Sequence, residues 1–514
     1  MSVDELLRGH DDRAALVLGD TVITRRQLRQ ASERAAQGLS AMGIRRGDAL
    51  AVWLPNGPAW IQLLCAAARI GVLIVPISTR YKPPEVRHLL EVSAAKAMVC
   101  PSNFLKTDYA AIARSLQADL PGLEKVIELP DCDAFIEFEF AEPLGAMASP
   151  PQADDLLCCF STSGTTGYPK LAAHGHASIV RHAQHVARAL DIRAGDAMLC
   201  ALPFFGVFGF MTALSALAGG AACVMLSVFE AEQAARMIER HRITHVIGAD
   251  SMFDAILRVE GVNFDTLRRG VQADFVGLQG PVTQRADELG IRFTGTYGSS
   301  ECYSLMAFHP WDSPGQVRAR SGGIPIDPQI EIRIVDPETG DVLEPSAPGE
   351  IQIRGPNVMP RYINNPEATA KAFTDEGWYR SGDLGLLDGA GFVYLARLGD
   401  SLRLRGFLVN PAEIEHTLMQ HADVIGAQVV GVKRPGEGDV AVAYVLTHGD
   451  SAVEETLLAY CREHMAAYKV PVRIFRIDEF PAINGPNGNK IQKRVLREMA
   501  REALDALVPQ TQTH

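Results

Sequence analysis

Residues 161–170 read STSGTTGYPK, a run of hydroxyls and two glycines closed by a lysine. Gly164 and Gly167 free the backbone so that N–H groups can converge on phosphate oxygens. Ser161, Thr162, Ser163, Thr165 and Thr166 add donors or metal-ligand oxygens, and Lys170 adds a mobile positive charge. The composition suits a nucleoside triphosphate. It is not the P-loop pattern GxxxxGK[ST], because Tyr168 and Pro169 separate the last glycine from the lysine and Leu171 follows it. A Ser/Thr/Gly-rich surface loop shares this composition, so residues elsewhere must decide between the two readings.

Four more segments follow in order: YGSSE at 297–301, YRSGDLG at 379–385, RLGDSLRLRGFLVNPAEIE at 397–415 and NKIQKRVLR at 489–497. Together they resemble the adenylate-forming family of acyl-CoA synthetases, luciferases and peptide-synthetase adenylation domains. The resemblance runs from about residue 24 to 497, and the ordered set is far more specific than any one member. Ser300 stands where the family usually has threonine.

The resemblance implies two half-reactions. An acid and ATP give an acyl-adenylate and pyrophosphate, then a thiol displaces AMP. The first step drives one anion against another, so cations must neutralise the approach. Magnesium, which prefers oxygen ligands, would be held by Glu301 with Thr165 or Thr166; outside its motif Glu301 would read as a solvated loop carboxylate. Lys490 is the expected catalytic lysine, bridging the attacking carboxylate and the α-phosphate mainly in the transition state, with Glu301 and Thr166 assisting and Lys493 as the fallback. Nucleotide contacts are expected from Ser163, Gly164, Thr165, Thr166, Gly167, Lys170, Gly277, Tyr297, Gly298, Ser299 and Ser300. Tyr297 stacks on adenine in this reading, although a tyrosine at a strand end is more often core. Asp383, an acceptor when ionised, suits the ribose hydroxyls, and Arg397 binds the same ribose or its phosphate; the plainer readings are a turn aspartate and a surface ion pair. His174, His176 and Cys302 lack the context of a nucleophilic triad.

Three departures bear on specificity and motion. Gly399 stands at the hinge, where Asp or Lys is common, and is the expected pivot that brings Gly406 to the CoA channel. The lysine element reads PAINGPNGNK, with Asn489 in place of glycine, and the extra length predicts a longer, more mobile loop around Lys490. In ALPFFGVFGF, 201–210, Gly206 replaces a family histidine that gates the acyl pocket. With Phe205, Phe208, Met252, Asp250 and Gln279 as candidate lining, a medium-chain or ring-bearing hydrophobic acid is expected, although such aromatics are more often plain core.

The elements that must position these residues are those of an α/β protein. Thr24 with Gln27 is a capping-box signature for a helix ended by Gly43. A strand over 49–54, a helix opened by Pro58 and a short apolar strand over 72–75 give βαβ grammar, which resumes at 156–160, 222–226, 230–241 and 245–247. The phosphate segment thus falls at a strand's carboxyl end. Alternating strands mark an antiparallel β subdomain over about 322–396. The expected fold is a large N-terminal AMP-binding domain of doubly wound sheets over 1–398, then a small mobile α+β domain over 399–514 whose helices begin near Pro411 and after Ser451.

With 47% hydrophobic and 21% charged residues among 514, the chain is long enough for two or more packed domains. A net charge of -12 argues against a nucleic-acid partner. Nine cysteines without CxxC spacing read as reduced, buried thiols of a cytoplasmic protein. The start lacks a signal core and the greasy stretches are broken by Arg69, Pro76, Gly219 and Gly220, so no transmembrane segment is expected. Its partners are then a small-molecule carboxylic acid, ATP and CoA, and the sequence is compatible with a homodimer. The leading reading is an acyl-CoA synthetase. Its rivals are loading of an acyl carrier protein, a luciferase-like oxidation, and a non-catalytic nucleotide-binding protein that keeps the fold.

Overall fold

Thr24 and Gln27 close the capping box that their spacing predicts. The Thr24 hydroxyl accepts from the Gln27 amide at 3.2 Å and the Gln27 side-chain oxygen accepts from the Thr24 amide at 2.8 Å, starting the helix Arg25–Ala41. A computed structural model describes residues 3–8, 11–138, 152, 154–162, 169–275, 277–399, 402–404, 407–409, 411–434, 438–448, 454–465, 467, 469–485 and 488–505. Pro58 occupies the first turn of the helix Pro58–Ile70, and Gly71, at φ +69°, ends it in the left-handed region. Every residue of that helix except Arg69 is buried. Its 13 residues rise only about 20 Å, against a hydrocarbon layer of about 30 Å. Among the described residues no helix is long and apolar enough to cross a membrane.

The chain divides into two compact units. The first comprises Met1–Glu331, Ile353–Tyr379 and Pro486–Gly488, the second Ile332–Gln352, Arg380–Gly485 and Asn489–His514. In the first, a seven-stranded sheet has the order Arg361–Tyr362, Lys170–Gly175, Leu156–Thr162, Leu73–Pro76, Ala49–Val52, Ala95–Pro101 and Lys125–Leu129. From Leu156–Thr162 onward the neighbours are parallel, and strands such as Ala49–Val52 and Leu73–Pro76 are buried along their whole length, as continuous apolar runs require. Lys170–Gly175 instead runs antiparallel to Leu156–Thr162, with Lys170 opposite Thr162. The phosphate segment therefore joins two antiparallel neighbours. That second strand escapes a sequence reading because Lys170, His174 and Gly175 interrupt its apolar pattern.

Nine further strands of this unit run in the order Gly322–Pro325, Tyr303–Phe308, Arg292–Ser299, Arg269–Ala273, His245–Ala249, Ala197–Cys200, Ala222–Met225, Ala14–Leu18 and Thr21–Thr24. Pairing is parallel from Arg292–Ser299 to Ala14–Leu18 and antiparallel at both ends. Helices bury their apolar faces on these sheets; Val207–Gly219, bounded by Gly206 and Gly220, is apolar nearly all round and buried accordingly.

In the second unit, Glu331–Val335, Gly349–Arg354, Tyr379–Asp388 and Gly391–Arg397 lie side by side in that order. The α+β part has the order Phe407–Val409, Leu402–Leu404, Gly438–Thr447 and Val424–Arg434, with Arg473–Arg476 also paired to Gly438–Thr447. Period-two alternation sorts its core. Val429 and Ala443 pack with Ile414, Leu418 and Leu457, whereas Val430, Val442 and Tyr444 pack with Leu496, Ala500 and Leu504. Pro411 opens the helix Pro411–Met419 as expected, and Ser451 lies outside the described residues. All nine cysteines are free thiols, eight of them buried and Cys132 partly so.

Candidate active site

The strand Arg292–Ser299 carries Tyr297, Gly298 and Ser299 at its carboxyl end. Tyr297 faces Ala307 and Ser299 faces Tyr303 across the next strand, and the register slips between them. Gly298 sits at that bulge, the usual device for re-aiming a strand end. A Cβ on Gly298 would stand 2.2 Å from the Tyr303 carbonyl oxygen, so glycine is required by close approach. Tyr303 and Leu305 take φ of +60° and +64°, a left-handed conformation that bulky residues rarely adopt.

Three successive carbonyls beyond the bulge are each held. His174 Nε2–H donates to Ser300 O at 2.8 Å. The Met359 amide donates to Glu301 O at 2.7 Å, and Asn357 Nδ2 donates to Cys302 O at 2.9 Å. The His174 ring stacks on Tyr303, centroids 4.0 Å apart, and His182 lies against the same ring at 4.8 Å while donating to Ser304 O at 2.7 Å. Burial drives both imidazoles down to about 4, so each is neutral at physiological pH. His174 is thus a framework donor and no part of a nucleophilic triad.

The Glu301 carboxylate is fixed from the side. Tyr362 Oη donates to Glu301 Oε1 at 2.8 Å. Lys170 Nζ lies 4.4 Å above the centre of the same Tyr362 ring. One nearly buried tyrosine therefore touches both a candidate metal ligand and a candidate phosphate cation. Sequence reasoning missed Tyr362; its strand is two residues long and it lies 61 positions from Glu301. Both ends of the phosphate segment are also pinned: Ser161 O accepts from Ser300 Oγ at 3.4 Å, its hydroxyl meets Tyr81 Oη at 3.3 Å, and Pro169 O accepts from His88 Nε2–H at 3.0 Å. Ser163, Gly164, Thr165, Thr166 and Gly167 lie outside the described residues.

The remaining candidates separate into framework and open positions. Gly277, at φ +85°, donates its amide to Asp274 Oδ1 at 2.8 Å in a tight turn. Asp250, expected in the pocket lining, is fully buried and accepts from the amides of Ser251, Phe275 and Leu278. Its carboxylate organises that turn. Gln279 is likewise engaged, donating to Gln272 O at 3.2 Å and accepting from Ser321 Oγ at 3.3 Å. Gly206 caps the helix Val207–Gly219; Phe205, Phe208 and Met252 are nearly buried, the last two within one hydrophobic core.

In the second unit Asp383 and Arg397 are cross-strand partners, with Arg397 Nε 3.1 Å from Asp383 Oδ1 and Nη1 donating to Ser381 O at 3.1 Å. Asp383 is 3% exposed and the Arg397 side chain 53%, so the pair shows solvent its cationic end. Gly399 has an ordinary backbone, and a Cβ there would meet nothing within 4 Å. Lys490 lies on the strand Gly488–Ile491, paired with Ala482–Gly485; Pro486 and Asn487, in the stretch expected to form a longer loop, lie outside the described residues. Lys493 is committed to Glu415 at 2.9 Å. Gly406 lies outside the described residues.

Residues 3–363 match the family model for the AMP-binding enzyme, and residues 413–484 match that for its C-terminal domain. The chain belongs to the AMP-binding enzymes. The 3-[(3aS,4S,7aS)-7a-methyl-1,5-dioxo-octahydro-1H-inden-4-yl]propanoyl:CoA ligase of Rhodococcus jostii is 33% identical over 512 residues, 96% of each chain. The mitochondrial medium-chain acyl-CoA ligase ACSF2 of Danio rerio is 30% identical, covering 98% of this chain and 89% of its own. Among solved structures, the O-succinylbenzoate coenzyme A synthetase MenE from Bacillus subtilis, in complex with ATP and magnesium ion, superposes with a TM-score of 0.79 at 27% identity, over 97% of this chain and 98% of that one. The doubly wound sheets and the small α+β unit expected from the motifs are those of this fold.

Proposed function

We infer that this protein is an ATP-dependent carboxylic acid:CoA ligase that forms acyl-CoA through an acyl-adenylate, with a hydrophobic ring-bearing or medium-chain acid as substrate. The observation that carries the reading is the meeting, at Tyr362, of the Glu301 carboxylate and the Lys170 ammonium. A triphosphate needs that combination, cations for its oxygens and a hard oxygen donor for magnesium. Glu301, with Thr165 or Thr166, fits magnesium, whose charge offsets that of the phosphates when bound. Tyr297 stacks on adenine, Gly298, Ser299, Ser300 and Gly277 shape its surroundings, and Asp383 with Arg397 receives the ribose. In the first step a carboxylate oxygen of the acid bonds to the α-phosphorus and the bond to the leaving pyrophosphate breaks. Lys490 neutralises the approach. In the second step the CoA sulfur bonds to the acyl carbon and AMP leaves. Lys490 is preferred to Lys493 because the latter is spent on Glu415.

The acid class is supported by the substrates for which the relatives are named and by Gly206, whose missing side chain leaves room where the family has a histidine. We place the boundary of the mobile domain between Leu398 and Gly399, with Gly406 on the CoA side. A cytoplasmic setting, fatty acid metabolism and a homodimer complete the proposal. The test is pyrophosphate release from ATP and magnesium across short, medium, long, aryl and alicyclic acids, each with and without CoA. CoA-stimulated release with alicyclic or medium-chain acids is expected. Stimulation only by an acyl carrier protein would replace CoA as the acceptor, and ATP binding without release would sink the ligase reading.

A further inference from the structure

Tyr362 is held before any ligand arrives. It pairs with Ala172 across the sheet, its amide donates to Thr369 Oγ1 at 3.1 Å, and the next amide, of Ile363, donates to Leu171 O at 2.8 Å. Its side chain is 4% exposed. Two chemically different parts of that side chain face the two charges: the hydroxyl reaches Glu301 Oε1 at 2.8 Å, and the ring face lies 4.4 Å below Lys170 Nζ. The phenol satisfies one carboxylate oxygen as a neutral donor, so the group keeps its charge and its other oxygen for a cation. The ring attracts the ammonium through its quadrupole without taking any of its N–H donors. A carboxylate or a second cation at this position would either claim the lysine in an ion pair or repel it.

We propose that Tyr362 is a positioning residue of the adenylation step, aiming the Glu301 carboxylate at the metal and holding Lys170 at the phosphate segment with its donors unspent. The inference rests on the reading of Glu301 as a magnesium ligand and Lys170 as a phosphate cation. It concerns the strand Arg361–Tyr362, to which the five recognised motifs assign nothing.

The experiment is a binding titration on the full chain. Mn2+ is titrated by electron paramagnetic resonance in the presence of α,β-methylene-ATP, which cannot transfer its adenylyl group, for the wild type, Glu301→Gln, Tyr362→Phe and Tyr362→Leu. The phenylalanine keeps the ring and the strand pairing and removes only the hydroxyl. Because hydrogen bonds to charged groups are worth about a decade in binding, Tyr362→Phe should weaken Mn2+ about tenfold while the affinity for metal-free nucleotide stays within about twofold. Tyr362→Leu, which also removes the ring face, should in addition weaken metal-free nucleotide by about threefold. A Tyr362→Phe curve that superimposes on the wild type while Glu301→Gln is shifted overturns the role of Tyr362 alone. If Glu301→Gln also superimposes, the reading of Glu301 falls and this inference falls with it.

Discussion

Two regions that share one proposed reaction are built to opposite standards. Ser300, Glu301 and Cys302 have their carbonyls held by His174, Met359 and Asn357, drawn from two other segments, and the Glu301 side chain is held by Tyr362. Lys490 sits on a two-stranded ribbon formed by Ala482–Gly485 and Gly488–Ile491, an arrangement that is marginal by itself in water. The surface proposed to recognise the nucleotide is thus preorganised, while the cation proposed to act at the moment of bond formation is carried on a two-stranded ribbon.

The sharpest way to break the comparison is Lys490→Ala. Removing a cation that acts mainly in the transition state should cost about 10²- to 10³-fold in pyrophosphate release, with ATP affinity in a calorimetric titration within about threefold of the wild type. A matching loss of ATP binding would make Lys490 part of the preorganised surface after all. Gly298→Ala attacks the other side. The added methyl would clash with the Tyr303 carbonyl, so both nucleotide affinity and melting temperature should fall, with a destabilisation of about 1–3 kcal/mol from forced backbone movement. An unchanged melting temperature would show that the bulge can relax.

The pH dependence of stability belongs to the same rigid side. The buried His174 and His182 are held down to about 4, whereas an unfolded histidine titrates near 6.5. Between those values the unfolded chain binds more protons, so stability is flat above about pH 6.5 and falls as pH drops toward about 4, by on the order of 3 kcal/mol for each group. His182→Gln, which keeps a donor and removes the titration, should flatten the fall in melting temperature measured over that range. The smallest effect is expected from Gly399→Asp: nothing crowds a Cβ there, so stability should stay within about 0.5 kcal/mol. If turnover shifts while adenylation alone does not, the position acts on the second half-reaction as a pivot.

What could be read beforehand follows a physical line. The capping box at Thr24 and Gln27, the N-terminal Pro58 and the buried strand beginning at Leu156 are local signals, decided within one turn or one apolar run, and the structure bears them out. The strand Lys170–Gly175 was not legible, because its conformation is imposed by a neighbour it meets across the hairpin. Tyr362 and His174 were missed as framework for the same reason: they act on residues 61 and 126 positions away. Asp250 shows the converse. A carboxylate near expected pocket residues invites a ligand role, and the sequence does not show that its oxygens accept from three backbone amides.

An acyl-adenylate is an indiscriminate electrophile, and an enzyme that makes one beside its own sulfurs risks acylating itself. Burial lifts Cys158, Cys159 and Cys200 well above the ordinary thiol range, Cys100 to about 12 and Cys132 and Cys461 to about 11. These sulfurs stay protonated and mute at physiological pH. Those six thiols are kept out of a thiol-transfer chemistry whose thiolate is supplied by the cosubstrate.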